Sequence, residues 1–91
     1  MLLEIVSPEA QLFSGEVESV TVPGASGSFQ ILNNHAPIVS TLVEGSIKIQ
    51  GKITLDEAHQ SKFIQQGDLT LLNIQSGAVE LRENKVILLA E

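Results

Sequence analysis

The sequence predicts one all-β domain over residues 1–91, an antiparallel sandwich or barrel of many short strands. Apolar and polar residues alternate with period two over several stretches, as half-buried strands require. Turn-forming pairs recur every 8 to 12 residues or so, the spacing of such architectures. The sole helix candidate, Asp56–Ser61, amounts to a single turn at most. Leu, Ile, Val and Phe fill 32 of the 91 positions, enough for a core that removes roughly 60–65% of the unfolded surface from water.

Along the chain, Ser7-Pro8 and Ser14-Gly15 mark the first two turns. Val20 and Val22 alternate against Ser19, Thr21 and Pro23, but Val17 lies out of phase with them. A bulge or bend is therefore expected near Glu18–Ser19. Pro23-Gly24 suits the central positions of a type II turn, a fixed φ followed by a positive one. Asn33-Asn34 and Glu44-Gly45 are the next turn signals. From Gly45 to Asp56, Ile47, Ile49, Ile53 and Leu55 alternate with polar residues and predict a half-buried strand or hairpin. Gly51 falls on its apolar side, where a bulge or a close backbone approach is expected. After Gly67-Asp68 and Ser76-Gly77, the runs Val79–Leu81 and Val86–Leu89 predict a terminal hairpin turning at Glu83-Asn84.

Composition narrows the function classes. Five basic residues against eleven acidic ones give a net charge of −6, the wrong sign for a phosphate backbone. The absence of cysteine removes disulfide scaffolds, thiolate metal sites and Cys nucleophiles. No run approaches the ~18 apolar residues of a membrane span. Met1-Leu2-Leu3-Glu4 lacks the basic flank of a secretory signal. Attachment to a membrane through a partner stays open.

Asp56-Glu57-Ala58-His59 spells the acidic box of certain helicases, which works only beside a phosphate-cradling P-loop. Gly45 to Gly51 has one residue too many between its glycines, and Ile53 follows Lys52 where a hydroxyl is needed. The box therefore reads as an acidic polar turn. His35 and His59 stand 24 residues apart with no zinc-ligand spacing around them. No serine occupies a nucleophile elbow: Gly24-Ala25-Ser26-Gly27 has its glycines at the wrong offsets. No catalytic residue, metal site or cofactor is expected.

The segment that stands out is Pro23 to Pro37. Small residues turn the backbone, Phe29, Ile31 and Leu32 anchor it, and Asn33-Asn34-His35 return it to water, while Pro37 biases Ala36 towards an extended conformation. Two readings fit: a rigid contact site on a β scaffold, or ordinary turn chemistry in which the histidine satisfies local backbone groups.

Leu3-Glu4-Ile5-Val6-Ser7-Pro8-Glu9, Leu12-Phe13-Ser14-Gly15-Glu16-Val17, the Pro-Gly…Gly…Asn-His-Ala-Pro block and Val43-Glu44-Gly45 resemble the epsilon subunit of bacterial F-type ATP synthase. Ser76 to Glu80 and Asn84 to Glu91 continue the likeness. It covers residues 2–49 and 73–91; Gln50–Asn73 is longer than the usual hairpin there and is expected to be an extended hairpin. The resemblance implies a flattened sandwich of ten strands at the foot of a rotor shaft, peripheral to the cytoplasmic face of the bacterial cell membrane. It implies a non-catalytic subunit that binds the gamma subunit and the polar loops of the c-ring and couples proton-driven rotation to ATP synthesis. By position, Ser7, His35 and Ala36 would lie toward gamma. Ala25, Ser26, Gly27 and Ser28 would face the c-ring, with Ser28 where many members carry an acidic residue. The family's C-terminal helical hairpin, with its inhibitory and ATP-binding roles, would begin after Glu91, so a naturally short or a trimmed form is expected.

A rotor contact would leave apolar residues exposed on the isolated domain. The alternative is a stand-alone sandwich that binds a small ligand or glycan, but the chain has no Trp or Tyr for stacking. A hydrolase would need a cleft with perturbed ionisable groups, which no motif marks.

Overall fold

Alternation of buried and exposed residues becomes ten strands in the computed structural model, which describes all of residues 1–91. They are β1 (Leu2–Val6), β2 (Gln11–Glu16), β3 (Ser19–Gly24), β4 (Gly27–Leu32), β5 (Ile38–Leu42), β6 (Gly45–Gln50), β7 (Phe63–Gln66), β8 (Leu69–Ile74), β9 (Gly77–Arg82) and β10 (Lys85–Ala90). A 3₁₀ turn, Gln60–Lys62, precedes β7. Hydrogen bonding connects them in the order β2-β1-β10-β9-β5-β3-β6-β8-β7, with β4 on the other side of β3. The link between β5 and β3 is one residue pair, Gly24 with Leu42. The path is therefore a curled sheet with two five-stranded halves, β2-β1-β10-β9-β5 and β4-β3-β6-β8-β7, that fold over one core.

Both halves supply that core. Leu3, Ile5, Val79, Leu81, Val86 and Leu88 come from the first half, and Val20, Val22, Ile31, Ile47 and Ile49 from the second. All of these are essentially inaccessible to water and belong to one cluster of 20 buried residues. Each such side chain contributes roughly 1.5–3 kcal/mol through burial, before conformational entropy opposes it.

The corner between the halves explains the Pro23 region. Pro23 is the penultimate residue of β3, where no ladder needs its missing N–H, and its carbonyl accepts from Val43 N at 2.9 Å. Ala25 N donates to Thr41 O at 3.1 Å on the neighbouring strand. The expected type II turn at Pro23-Gly24 is not formed. Gly24 pairs with Gly27 and the turn is Ala25-Ser26, while the positive φ, 124°, belongs to Gly27. Gly24 is glycine for space: a Cβ there would lie 2.8 Å from both Gly27 O and the Phe29 ring.

Other expectations shift in the same physical way. The sheet is not wholly antiparallel: β1 and β10 pair parallel, which the two chain ends can do because the whole domain serves as their crossover. Ser14-Gly15 lies inside β2, paired with Glu4 and Leu3, because β1 satisfies its backbone. Of the bulge or bend expected near Glu18–Ser19, the bend forms, at Glu18, where Val17-Glu18 link two strands of different halves. The one register shift in this region falls between Ile5 and Val6, where Leu12 is the extra residue. That shift lets Leu12 and Phe13 both be buried. The terminal hairpin forms as expected, with Glu83 and Asn84 at φ 52° and 60° in a two-residue turn of type I′ character.

The alternation from Gly45 to Asp56 outlasts the strand, which stops at Gln50. Gly51 adopts φ 135° with its Cβ direction 3.3 Å from Glu18 N, a close approach and not a bulge. Lys52–Ser61 then runs as a strap, and Gln50–Asn73 is not one extended hairpin. The strap keeps the pattern because Ile53 and Leu55 pack on the core. Thr54 and Asp56 share a shallow cavity with Gln11–Ser14 of β2, and Ile53 O accepts from Gln65 Nε2 of β7 at 3.5 Å. The strap thus closes the side where the edge strands β2 and β7 face each other. The expected turn at Asp56–Ser61 appears as a turn at Glu57–His59 followed by Gln60–Lys62 in 3₁₀ form.

Candidate functional site

The hairpin joining β3 and β4 projects its tip from the corner of the fold. Ala25, Ser26, Gly27 and Ser28 are consecutive and all exposed. Hydrogen bonds to Thr41 and Val43 hold the base of the tip, so it is presented by a fixed scaffold. Nothing lies within 4 Å of a Cβ built on Gly27, so its glycine answers to backbone conformation alone.

The loop from Asn33 to Pro37 connects β4, in one half, to β5, in the other. His35 N donates to Leu32 O at 3.1 Å, closing a turn in which Asn34 takes φ 63°. The His35 ring lies 2.7 Å from Ala36 O through Nδ1. A carbonyl only accepts, so Nδ1 donates to it and Nε2 is left unengaged. The turn-chemistry reading holds for the histidine, which satisfies a local carbonyl and leaves its far nitrogen without a partner in the chain.

Ser7 stands elsewhere. It follows β1 at the end opposite the His35 loop, roughly 15–20 Å away along the strand at about 3.3 Å per residue. Its hydroxyl is engaged locally: Ala10 N donates to Oγ and Oγ to Ala10 O, both at 3.2 Å. Ser7 thus organises the Ser7–Ala10 turn and half-buries its own polar group. Ser7 and the pair His35 and Ala36 are not one cluster but two ends of the first half-sheet.

Between those ends lies a surface that no motif of the sequence marks. Side chains on the outward side of the first half include Val6 on β1, Ala78 on β9, Ile87 and Leu89 on β10, and Val39 on β5. Val6, Leu89 and Ala78 are register neighbours across three strands. Val39 is 79% exposed and Leu89 52%. Glu4 with Lys85, 2.7 Å apart, and Glu80 interrupt the apolar positions. The signal was present: in a half-buried strand, burying Val86 and Leu88 turns Ile87 and Leu89 outward. A continuous apolar run conceals that alternation.

The remaining histidine belongs to the strap. Asp56 Oδ1 accepts from Ala58 N at 3.0 Å, and Asp56 O accepts from His59 N and Gln60 N, both at 2.9 Å. The acidic tetrapeptide is a hydrogen-bonded turn.

Comparison with known proteins agrees along the whole chain. Residues 1–91 match the family described as ATP synthase, Delta/Epsilon chain, beta-sandwich domain, residues 50–73 included. An ATP synthase epsilon chain of Leptospira interrogans is 36% identical over 98% of this chain, which spans only 59% of that relative's length. The epsilon chain of Chlorobium limicola is 37% identical over 98% of this chain and 86% of its own. That of Caulobacter vibrioides is 43% identical over 84% of this chain and 90% of its own. Among solved structures, a chain in the cryo-EM structure of the Tetrahymena thermophila mitochondrial ATP synthase central stalk and c-ring superimposes with a TM-score of 0.73. That likeness, at 14% identity over 98% of this chain and 61% of the other, is one of fold.

Proposed function

Because the chain belongs to the ATP synthase delta/epsilon family, as its β-sandwich domain, we propose that it is a non-catalytic part of the central stalk. In this reading the outer face of the first half binds the gamma subunit and the Ala25–Ser28 tip meets the polar loops of the c-ring. The work is mechanical: a stiff sandwich with two contact regions carries rotation from the ring to the shaft, so that proton flow and ATP synthesis stay coupled. The complex would sit at the cytoplasmic face of a bacterial cell membrane, with this domain peripheral to it. No helix of the chain is long and apolar enough to cross a membrane.

The observation that carries the reading is the outward apolar set, Val39 and Leu89 above all. Folding does not use these side chains, since the inward set of the same strands already fills the core. Apolar side chains gathered on the outer face of neighbouring strands make the kind of patch that a partner covers. The surface runs from the Ser7 turn to the His35 loop, so a partner spanning it reaches the three residues assigned to gamma even though they do not cluster.

Binding of the chain to a purified gamma subunit from the same source, by analytical ultracentrifugation with calorimetry, tests this. A 1:1 complex with Kd below about 1 μM is expected. Val39→Asp together with Leu89→Asp should weaken it by at least about a hundredfold, since each buries a charge against apolar surface. No complex from folded wild-type protein would move the chain to the class of stand-alone ligand-binding sandwiches.

A further inference from the structure

Asn84 lies outside every contact region named above, yet three bonds converge on it. Its carbonyl accepts from Leu2 N at 3.1 Å, tying the β9–β10 turn to the start of β1. Its side-chain Oδ1 accepts from Asn34 N at 2.8 Å. Its Nδ2 donates to Asn33 Oδ1 at 2.7 Å. The two side-chain bonds cross 50 and 51 residues of sequence to reach consecutive positions of the β4–β5 loop. An amide side chain is needed for both: an acceptor and a donor on one planar group. The backbone restricts the choice further, because Asn84 stands at φ 60°, where asparagine and glycine are the favoured residues.

The loop it grips lacks other long-range anchors. Within Asn33–Pro37 the remaining bonds are local, His35 N to Leu32 O and His35 Nδ1 to Ala36 O. Asn34, at φ 63°, is itself in a conformation that costs free energy for a residue with a side chain. A bidentate grip on Asn33 and Asn34 fixes the backbone immediately before His35 and hence where the free Nε2 points.

We propose that Asn84 is a positioning residue for the His35 contact, a clasp by which the β9–β10 turn presets the β4–β5 loop for its partner. The inference rests on the reading of His35 as a gamma contact. Presetting the loop removes an ordering cost from association and leaves the stability of the sandwich nearly untouched.

Asn84→Gly keeps the positive φ and the Leu2 bond but removes both side-chain bonds. Exchange of the Asn34 amide should then accelerate at least about tenfold, and affinity for gamma should fall roughly tenfold. Its effect on affinity should vanish in the His35→Ala background, which a generally weakened fold would not produce. Asn33→Asp should behave as wild type, since its carboxylate still accepts from Nδ2, while Asn33→Leu should reproduce part of the loss. Unchanged Asn34 exchange in Asn84→Gly would overturn the clasp. Accelerated exchange with gamma affinity unaltered in both Asn84→Gly and His35→Ala would instead overturn the reading of this loop as a gamma contact. Equal losses with and without His35 would remove the positioning role.

Discussion

Pro23–Pro37 and the Lys52–Ser61 strap both cross from strand to strand on the surface, yet different forces hold them. Outside β4, the first segment is fixed by hydrogen bonds to a distant strand and a distant turn, Ala25 to Thr41 and Asn34 to Asn84, and leaves Ala25–Ser28 and Ala36 in water. The strap makes few such bonds and is fixed by pushing Ile53 and Leu55 onto the core between β2 and β7. A surface segment held by its backbone keeps its side chains free for a partner. One held by its side chains has spent them on the fold. The difference predicts a double dissociation between stability and binding.

The strap should give the largest effect on stability. Ile53→Ala with Leu55→Ala should lower the unfolding free energy by about 2–4 kcal/mol, since both side chains are half-buried and their loss opens the β2–β7 side. At roughly 4–8 °C per kcal/mol for a domain of this size, calorimetry would resolve it easily. Gamma affinity of the folded fraction should be unchanged. A parallel loss of affinity would make the strap a contact surface and erase the comparison.

Gly27→Val sharpens the other side. A Cβ there meets no neighbouring atom, so the expected cost, about 1–3 kcal/mol, is that of a side chain at φ 124°. Gly67→Ala is the control, also at positive φ and also in open space, in the β7–β8 turn. Both should lower the denaturation midpoint, whereas only Gly27→Val should impair assembly with the c-ring in a reconstitution assay. Equal assembly by both variants would take the tip out of the ring contact.

How far these two segments could be read from residues differs for the same reason. Turn chemistry is local, so the Pro-Gly and Asn-Asn signals found the right segment, and the Glu83-Asn84 turn was placed to the residue. The turn lies two residues beyond Pro23-Gly24 and is not of type II, because Gly24 owes its glycine to the Phe29 ring, a contact that no local rule contains. The alternation that predicts a strand or hairpin from Gly45 to Asp56 is strand only to Gln50, because period-two burial reports what lies beneath a chain, not whether a neighbour completes its hydrogen bonds. Parallel pairing of β1 with β10, and the clasp at Asn84, join residues from opposite ends of the sequence. The residues assigned by resemblance fell on exposed or half-exposed positions, but the outward apolar set between them needed the register to be seen.

His35→Ala should reduce gamma affinity by roughly 1–2 kcal/mol if Nε2 is desolvated at the interface. The half-buried ring bonds only Ala36 O, so the thermal midpoint should move by no more than a few degrees. An isotherm identical to wild type would leave the outer face of the first half as the sole gamma surface.

The smallest effect is expected at Asp56, and it separates two chemistries. Its carboxylate accepts one backbone bond, from Ala58 N, in an exposed turn. Removing such a bond in Asp56→Ala should cost about 0.5–1 kcal/mol, read from urea midpoints at constant m. The strap would stay docked, because Ile53 and Leu55 hold it and Asp56 does not. If the acidic tetrapeptide instead served nucleotide hydrolysis, wild-type protein would show an activity that the variant loses with stability unmoved. The bond from Ala58 N and the lack of any phosphate-cradling loop favour the first outcome: a slightly weaker turn, wild-type gamma affinity, and no hydrolysis to lose.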